Sequence, residues 1–284
     1  MKTLMLDGTF KTAPLPFKQI WIVRGILPGY SKDKMQCLHL FTAFLQDKLY
    51  TSYEAALQVL KRECPLLKPD RIIIDYEAAE IKAIKAVYPG VDVDGCLFHY
   101  GQAVNRKTKS INNSVLAPQK KIDTSRVSAL PYIKLDDLDS LWQLLKAELT
   151  AMNPTAADKF VKYFEHTWIG NAGRRPLFKP DMWNCHTRTL EGSPRTNNFS
   201  EGGNNALRTS FSCNHPVLWE AIEKLKLFQN ETDIKIAHHN TGRTPGNTRR
   251  NKWMSADDRK VAVLRTYSTR TPREVLTLLA LVRA

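Results

Sequence analysis

The stretch RIIIDYEAAEIKAIKAVYPGVDVDGCLFH, residues 71–99, decides the fold. Its β-branched run, Ile72 to Ile74, is long enough for one buried strand and too short for a helix. A helical segment follows at 78–88 and ends at Pro89-Gly90, and residues 91–97 alternate as a further strand. Strand, helix and strand in this order predict an α/β layered protein.

The segments upstream extend this pattern. Residues 4–6, 17–27 and 35–44 each have strand character, and no helix separates them, so they predict an antiparallel meander. Residues 52–63 carry apolar side chains at helical spacing. The order of three strands, helix, strand, helix, strand is that of the ribonuclease H-like fold. We therefore expect a mixed five-stranded sheet with flanking helices, although periodicity alone supports only a mixed α/β fold.

The rest of the chain is mainly helical, with a polar, proline-broken stretch at 111–130 and a basic segment at 241–252. We predict further helices at 99–109, 135–149, 154–166, 199–209, 217–233 and 272–282. The predicted division is residues 1–110 as the first part of the core, 111–195 as a mainly helical insertion, 196–235 as the final core helices, and 236–284 as a basic C-terminal linker and helix.

Composition limits the partners. Lys and Arg number 42 against 28 Asp and Glu, which gives a net charge of +14 and favours a polyanion, with nucleic acid ahead of an anionic membrane. A hydrophobic fraction of 43% is typical of a folded protein. The first residues lack the apolar core of a signal peptide, and the chain has no long apolar run. Five scattered cysteines favour a reducing compartment, the cytosol or the nucleus.

Two acidic residues follow predicted strands, Asp7 after the first and Asp75 after the fourth. If these strands lie side by side, both carboxylates meet at one edge of the sheet, where they suit a hard divalent cation. An aspartate at a strand end is also a common turn residue. Other acids offer alternatives to this pair: Glu77 as an additional ligand or a solvated helix-capping residue, Asp92 and Asp94 on one face of the fifth strand, and Glu191 in a loop.

Five sequence blocks carry a family resemblance: LDGTF at 6–10, IDYEAAEIKAIKAVYP at 74–89, GCLFHYGQAVNR at 95–106, YFEHTWIG at 163–170 and TNNFSEGGNNALR at 196–208. In this order they resemble the Mutator-like element (MULE) transposase domain. The resemblance implies a ribonuclease H-like core with a helical insertion and a catalytic, metal-binding triad of Asp7, Asp75 and Glu201. It also implies two Mg²⁺ or Mn²⁺ ions and in-line attack on phosphodiesters, with strand cleavage and then strand transfer.

Cys96 and His99 have half of a zinc-type spacing, and no matching second half lies close by. The residues alone favour a buried cysteine and a hydrogen-bonded histidine over a metal site. The resemblance marks this Cys-x-x-His pair as a family motif, which we interpret as structural or DNA-positioning.

Basic residues border the blocks. Arg106, Lys107 and Lys109 follow the Cys-x-x-His pair, and Arg195 and Arg208 flank Glu201. We expect these five side chains to contact DNA phosphates, although charge runs are often only solvated surface. Trp168 and Trp183 suit a core better than a stacking surface for bases.

The resemblance implies DNA as the partner, both transposon ends and target, allows a homo-oligomer and indicates the nucleus. Because the first predicted strand begins almost at Met1, we expect a fragment or a domesticated copy without an end-recognition module. The alternatives are a catalytically silent DNA-binding or transcription-regulatory protein that keeps the fold, and, less favoured, a ribonuclease H-type nuclease.

Overall fold

A computed structural model describes residues 2–27, 35–114, 121–211, 214–243 and 251–282. The chain divides into two compact units, residues 1–94 with 196–249, and residues 95–195 with 250–284. Parts of the predicted polar stretch (115–120) and of the predicted basic segment (244–250) lie outside the described residues. The predicted four-part domain division stays a prediction.

Five strands form one sheet: β1 (Thr3–Thr9), β2 (Gln19–Ile26), β3 (Cys37–Leu45), β4 (Arg71–Ile74) and β5 (Asp92–Gly95). Their order across the sheet is β3-β2-β1-β4-β5. Strand β1 runs antiparallel to β2 and parallel to β4, and β2 runs antiparallel to β3. The predicted meander and the ribonuclease H-like mixed sheet are therefore confirmed.

Strand β1 is longer than the sequence predicts. Asp7, Gly8 and Thr9 continue the antiparallel pairing with β2, opposite Ile22, Trp21 and Ile20. The expectation that Asp7 follows the end of its strand is therefore wrong on the β2 side. On the other side, β1 pairs with β4 from Thr3 to Met5, so Asp7 lies beyond this parallel ladder.

The helices are, in chain order, α1 (Tyr50–Glu63), α2 (Ala78–Val87), α3 (Leu97–Asn113), α4 (Leu138–Met152), α5 (Pro154–Phe164), α6 (Pro180–Trp183), α7 (His186–Leu190), α8 (Asn198–Ser210), α9 (Leu218–Asn240), α10 (Asn251–Arg265) and α11 (Pro272–Leu281). Helix α9 continues beyond its predicted end, and α10 begins inside the predicted basic segment. Among the described residues, no helix has both the length and the apolar character needed to cross a membrane.

The two faces of the first unit's sheet have different partners. On one face, Trp21 stacks edge-on against Tyr53 of α1, with ring centroids 5.9 Å apart. On the other face, Ile20 and Ile22 pack in a buried cluster with Leu207 of α8. Because residues 20 and 22 alternate with 21, the strand sends consecutive side chains to opposite faces and holds helices on both.

The second unit has an aromatic core. The Tyr100 ring lies 4.9 Å from the Trp168 ring and 5.3 Å from the Trp183 ring, measured between centroids. The Trp183 indole donates a hydrogen bond of 2.9 Å to the Trp168 carbonyl oxygen. Both tryptophans are buried, so the core interpretation holds and a base-stacking role for them is not supported.

Candidate active site

Asp7 and Asp75 come from adjacent parallel strands. The parallel register pairs Leu4 with Ile72 and Met5 with Ile73. Two residues further along the two strands are Asp7 and Asp75, so the same register carries both carboxylates to one edge of the sheet. Both residues are partly exposed there.

Helix α8 is attached to this edge by two asparagines. Asn197, its N-cap residue, is buried and donates a hydrogen bond of 2.9 Å from Nδ2 to the Leu6 carbonyl oxygen. Asn204, two turns later and also buried, donates one of 2.7 Å from Nδ2 to Asp7 Oδ2. These two hydrogen bonds fix the position of α8 along β1 and its rotation about the helix axis.

Glu201 lies in the first turn of α8, between the two asparagines. It is four residues after Asn197 and three before Asn204, and residues at these spacings share one helix face. Since both asparagines contact the segment Leu6–Asp7, Glu201 is on the face of α8 directed towards β1. Its side chain is partly exposed, as are those of the two aspartates.

Arg24 of β2 completes the hydrogen-bonded chain behind Asp7. Its Nη2 donates a hydrogen bond of 2.8 Å to Asn204 Oδ1, so one amide connects the guanidinium to the carboxylate. Burial lowers the pKa of Arg24, and electrostatic interactions with Cys37 and Asp7 oppose this shift. Gly203 leaves room for the guanidinium, because a Cβ atom at this position would lie 2.7 Å from Nη2.

Sequence reasoning missed Glu80, a buried carboxyl group on α2. Its Oε1 accepts a hydrogen bond of 2.7 Å from the indole nitrogen of Trp21. Burial raises the pKa of Glu80 to about 8; the Trp21 bond opposes this, and the charges of Asp75, Asp7 and Glu77 add to it. The available signal was position: Glu80 shares the helical stripe of the buried residues Ala83, Ile84 and Val87.

The other acidic alternatives are engaged elsewhere. Asp94 is buried beside Arg71, whose Nε lies 2.8 Å from its Oδ2, and Asp92 lies 3.9 Å from the same guanidinium. The sequence interpretation of both as an exposed strand face is therefore wrong for Asp94. Glu77 lies 3.6 Å from Lys48 Nζ. Glu191 is exposed, as expected of a loop acid.

The donor set fits a hard divalent cation. The edge offers carboxylate oxygens from β1 and from the end of β4, with Glu201 on the face of α8 towards β1, and oxygen ligands are those that Mg²⁺ and Mn²⁺ prefer. The raised pKa of Glu80 reports in part the negative charge of Asp75 and Asp7. That excess of negative charge is what a bound cation would neutralise.

Cys96 and His99 both lie at the start of α3. Cys96 is its buried N-cap residue, and His99 follows in the first turn, partly exposed. The Cys96 sulfur and a ring nitrogen of His99 are within 4.8 Å of each other. The full burial of Cys96 agrees with a structural role for this residue. The role of the Cys96–His99 pair stays a prediction.

The five predicted DNA-contact residues differ in exposure. Arg106, Lys109 and Arg208 are exposed, and Lys107 is partly covered, with its Nζ 5.4 Å from the Tyr163 ring centroid. The Arg195 side chain is only 9% exposed, and its Nη2 lies 2.5 Å from Asp257 Oδ1. This buried ion pair argues against Arg195 as a phosphate contact; the other four stay predictions.

Residues 3–103 match the family model of the MULE transposase domain. The matched segment includes Asp7, Asp75, Cys96 and His99, and ends well before Glu201. No curated protein matches the chain. The family implies DNA binding, a nuclease- or transposase-type enzyme and, in general, the use of divalent metals. Over these residues the chain matches the family that its sequence motifs resemble, and the match supports a transposase-related function.

Proposed function

We propose that this protein is the catalytic part of a DNA transposase, which cuts DNA strands and joins them by in-line attack on phosphodiesters. The observation that carries the proposal is the placement of α8. Hydrogen bonds from Asn197 and Asn204 hold this helix against Leu6 and Asp7. Glu201 lies between the two asparagines on α8, which supports it as the third carboxylate.

Asp7, Asp75 and Glu201 are the residues that would hold the metal, two Mg²⁺ or Mn²⁺ ions. Bound there, such ions would activate a water or a 3′-hydroxyl and stabilise the charge on the reacting phosphate. The chain's own contribution is orientation. Asn204 fixes one oxygen of Asp7, and Arg24 in turn fixes the amide of Asn204.

The positive charge of the chain supports DNA as the substrate. The net charge of +14 on the chain attracts DNA at long range. The exposed side chains of Arg106, Lys109 and Arg208 are available to contact its phosphates. A protein with this activity on chromosomal DNA would work in the nucleus. Paired transposon ends would suit a homo-oligomer.

The test is nicking of supercoiled plasmid by the purified chain with Mg²⁺, with Mn²⁺ and with EDTA. We expect metal-dependent nicking that Asp75→Asn abolishes. The matched control is Asp92→Asn, which also removes one aspartate near a strand end but changes a carboxylate beside Arg71. Equal background from the original chain and Asp75→Asn would overturn the enzymatic proposal.

The same preparations separate the alternatives. DNA binding that survives without any nicking would favour the silent regulatory protein. Faster cleavage of RNA–DNA hybrids than of DNA would favour a ribonuclease H-type nuclease.

A further inference from the structure

An exposed aromatic side chain lies beside the predicted catalytic edge and takes no part in the triad. Phe10 directly follows β1, three residues after Asp7, and 42% of its surface is exposed. Lys48, which follows β3, places its Nζ 4.3 Å from the centre of the Phe10 ring. An exposed phenylalanine with a cation on its face is an arrangement that proteins use to hold unpaired bases.

Lys48 also connects the two segments that follow the aspartates. Its Nζ lies 3.6 Å from Glu77 Oε2, and Glu77 is two residues after Asp75. Lys48 therefore touches a side chain from the segment after Asp7 and one from the segment after Asp75. A nucleotide next to the reacting phosphate would reach this place first.

The lysine can change partners. At 3.6 Å its contact with Glu77 is longer than a hydrogen bond, and both side chains are more than a third exposed. Exposed pairs of this kind contribute little to stability. A DNA phosphate can therefore replace Glu77 as the partner of Lys48 without loss of a strong contact.

A second aromatic and lysine pair continues the surface along α1 and α2. Tyr50 is the first residue of α1 and comes two residues after Lys48, and Lys82 of α2 places its Nζ 4.6 Å from the Tyr50 ring centre. Lys82 is exposed and Tyr50 is partly exposed. Two rings, each with its own cation, give alternating places for bases and phosphates.

We infer that Phe10, Lys48, Tyr50 and Lys82 form a binding surface for unpaired nucleotides of the DNA strand at the reaction site, with Phe10 stacking on a base and Lys48 holding its phosphate. The inference rests on the proposed function, because it takes the edge at Asp7 and Asp75 as the place of reaction. The ligand class is single-stranded DNA, held through base faces and phosphates, with little sequence preference.

The test is binding of a fluorescein-labelled oligothymidylate to the full chain, followed by fluorescence anisotropy in EDTA, so that no cleavage occurs. We expect Phe10→Ala to weaken binding about 5- to 150-fold, the range for loss of one stacked base. Phe10→Tyr, which keeps the ring, should restore most of the affinity. Thermal unfolding of both variants is measured as well, and at the binding temperature both should be folded, because Phe10 is 42% exposed.

The matched control is Trp219→Ala on α9. Trp219 is 64% exposed and has Lys226 Nζ 5.7 Å from its ring centre, so it also pairs an exposed aromatic ring with a lysine. It lies on α9, far along the chain from Asp7 and Asp75. We expect this change to leave the affinity unchanged. An equal loss from Trp219→Ala and Phe10→Ala, or no loss from Phe10→Ala, would overturn the inference.

Lys48→Gln gives a second readout. It should reduce the slope of log affinity against log salt by about 0.7, the value for one phosphate contact on a single strand. An unchanged slope would contradict the assigned phosphate contact. Plasmid nicking by the original chain and Asp75→Asn is measured separately, so a failure of the binding surface is distinct from a failure of the proposed reaction.

Discussion

Asn204 donates a hydrogen bond of 2.7 Å to Asp7, a residue 197 positions earlier in the chain. The same amide accepts a hydrogen bond of 2.8 Å from Arg24, so Asn204 satisfies a cation and an anion at once. An amide can do this because its nitrogen donates and its oxygen accepts. A hydrocarbon side chain can do neither, and an acid lacks the donor that Asp7 needs.

Asn204→Leu is therefore expected to destabilise the fold as well as to stop nicking. It leaves the buried Arg24 without this acceptor, which costs about 1–3 kcal/mol in the free energy of unfolding. Urea unfolding measures the loss. Asn205→Leu is the control, since Asn205 is exposed and its side chain accepts a hydrogen bond from Arg208 on the same helix. Equal stability of the two variants would contradict the argument.

The adjacent glycines of α8 should respond in opposite directions to alanine. A Cβ atom at Gly202 meets nothing within 4 Å, whereas one at Gly203 lies 2.7, 2.8 and 2.9 Å from three guanidinium atoms of Arg24. Gly202→Ala should raise helix stability by about 0.5–1 kcal/mol. Gly203→Ala should lower stability and nicking, because it displaces Arg24 from Asn204. Thermal melts of the pair give the comparison.

Glu80 makes stability depend on pH. Its pKa in the folded protein, about 8, lies above its ordinary value of 4.5, so the folded state binds more protons between these values. The free energy of unfolding should fall as the pH rises from 4.5 to 8, by up to about 1.4 kcal/mol per pH unit. Glu80→Gln, which can still accept the Trp21 bond, should remove this slope.

Urea unfolding at several pH values measures the effect of Glu80→Gln. Glu63→Gln on α1 is the control, because Glu63 is exposed beside Arg62. A pH slope that stays the same in Glu80→Gln would show that other groups cause it.

Arg195 and Arg208 were both predicted to contact DNA. Because they differ in exposure, we expect substitutions of the two residues to have different effects on stability and on DNA binding. Arg195→Gln removes the ion pair with Asp257 and should lower the free energy of unfolding by about 1.5–3 kcal/mol, the range for a hydrogen bond between charged groups. Arg208→Gln should leave stability unchanged and weaken the salt dependence of DNA binding, since Arg208 is exposed. Denaturant unfolding and binding at two salt concentrations separate the two effects.

The type of most elements and their order along the chain were predictable because they depend on local pattern. The run Ile72–Ile74, the helix after it and the meander before it are all visible in short windows of sequence. The length of β1 was not predictable in this way. Asp7, Gly8 and Thr9 are extended because β2 offers them partners, and a local pattern does not report the partner strand.

The site was predictable only in part for the same reason. Asp7 and Asp75 stand out beside their strands, but Glu201 was assigned from the family resemblance and lies outside the matched segment. Glu80 is hydrogen-bonded to Trp21, which lies 59 residues earlier in the sequence, and Arg195 forms an ion pair with the much later residue Asp257. Contacts between residues so distant in sequence depend on the completed fold.

The first unit is discontinuous: the chain leaves it after Asp94 and returns at Thr196. During synthesis, Asp7 and Asp75 leave the ribosome more than 120 residues before α8, a delay of roughly 6–25 seconds at ordinary translation rates. The third carboxylate and its asparagine anchors are then still missing. A newborn chain therefore lacks Glu201 and both asparagine anchors, so under the proposed function the order of translation would delay DNA cutting until the fold is complete.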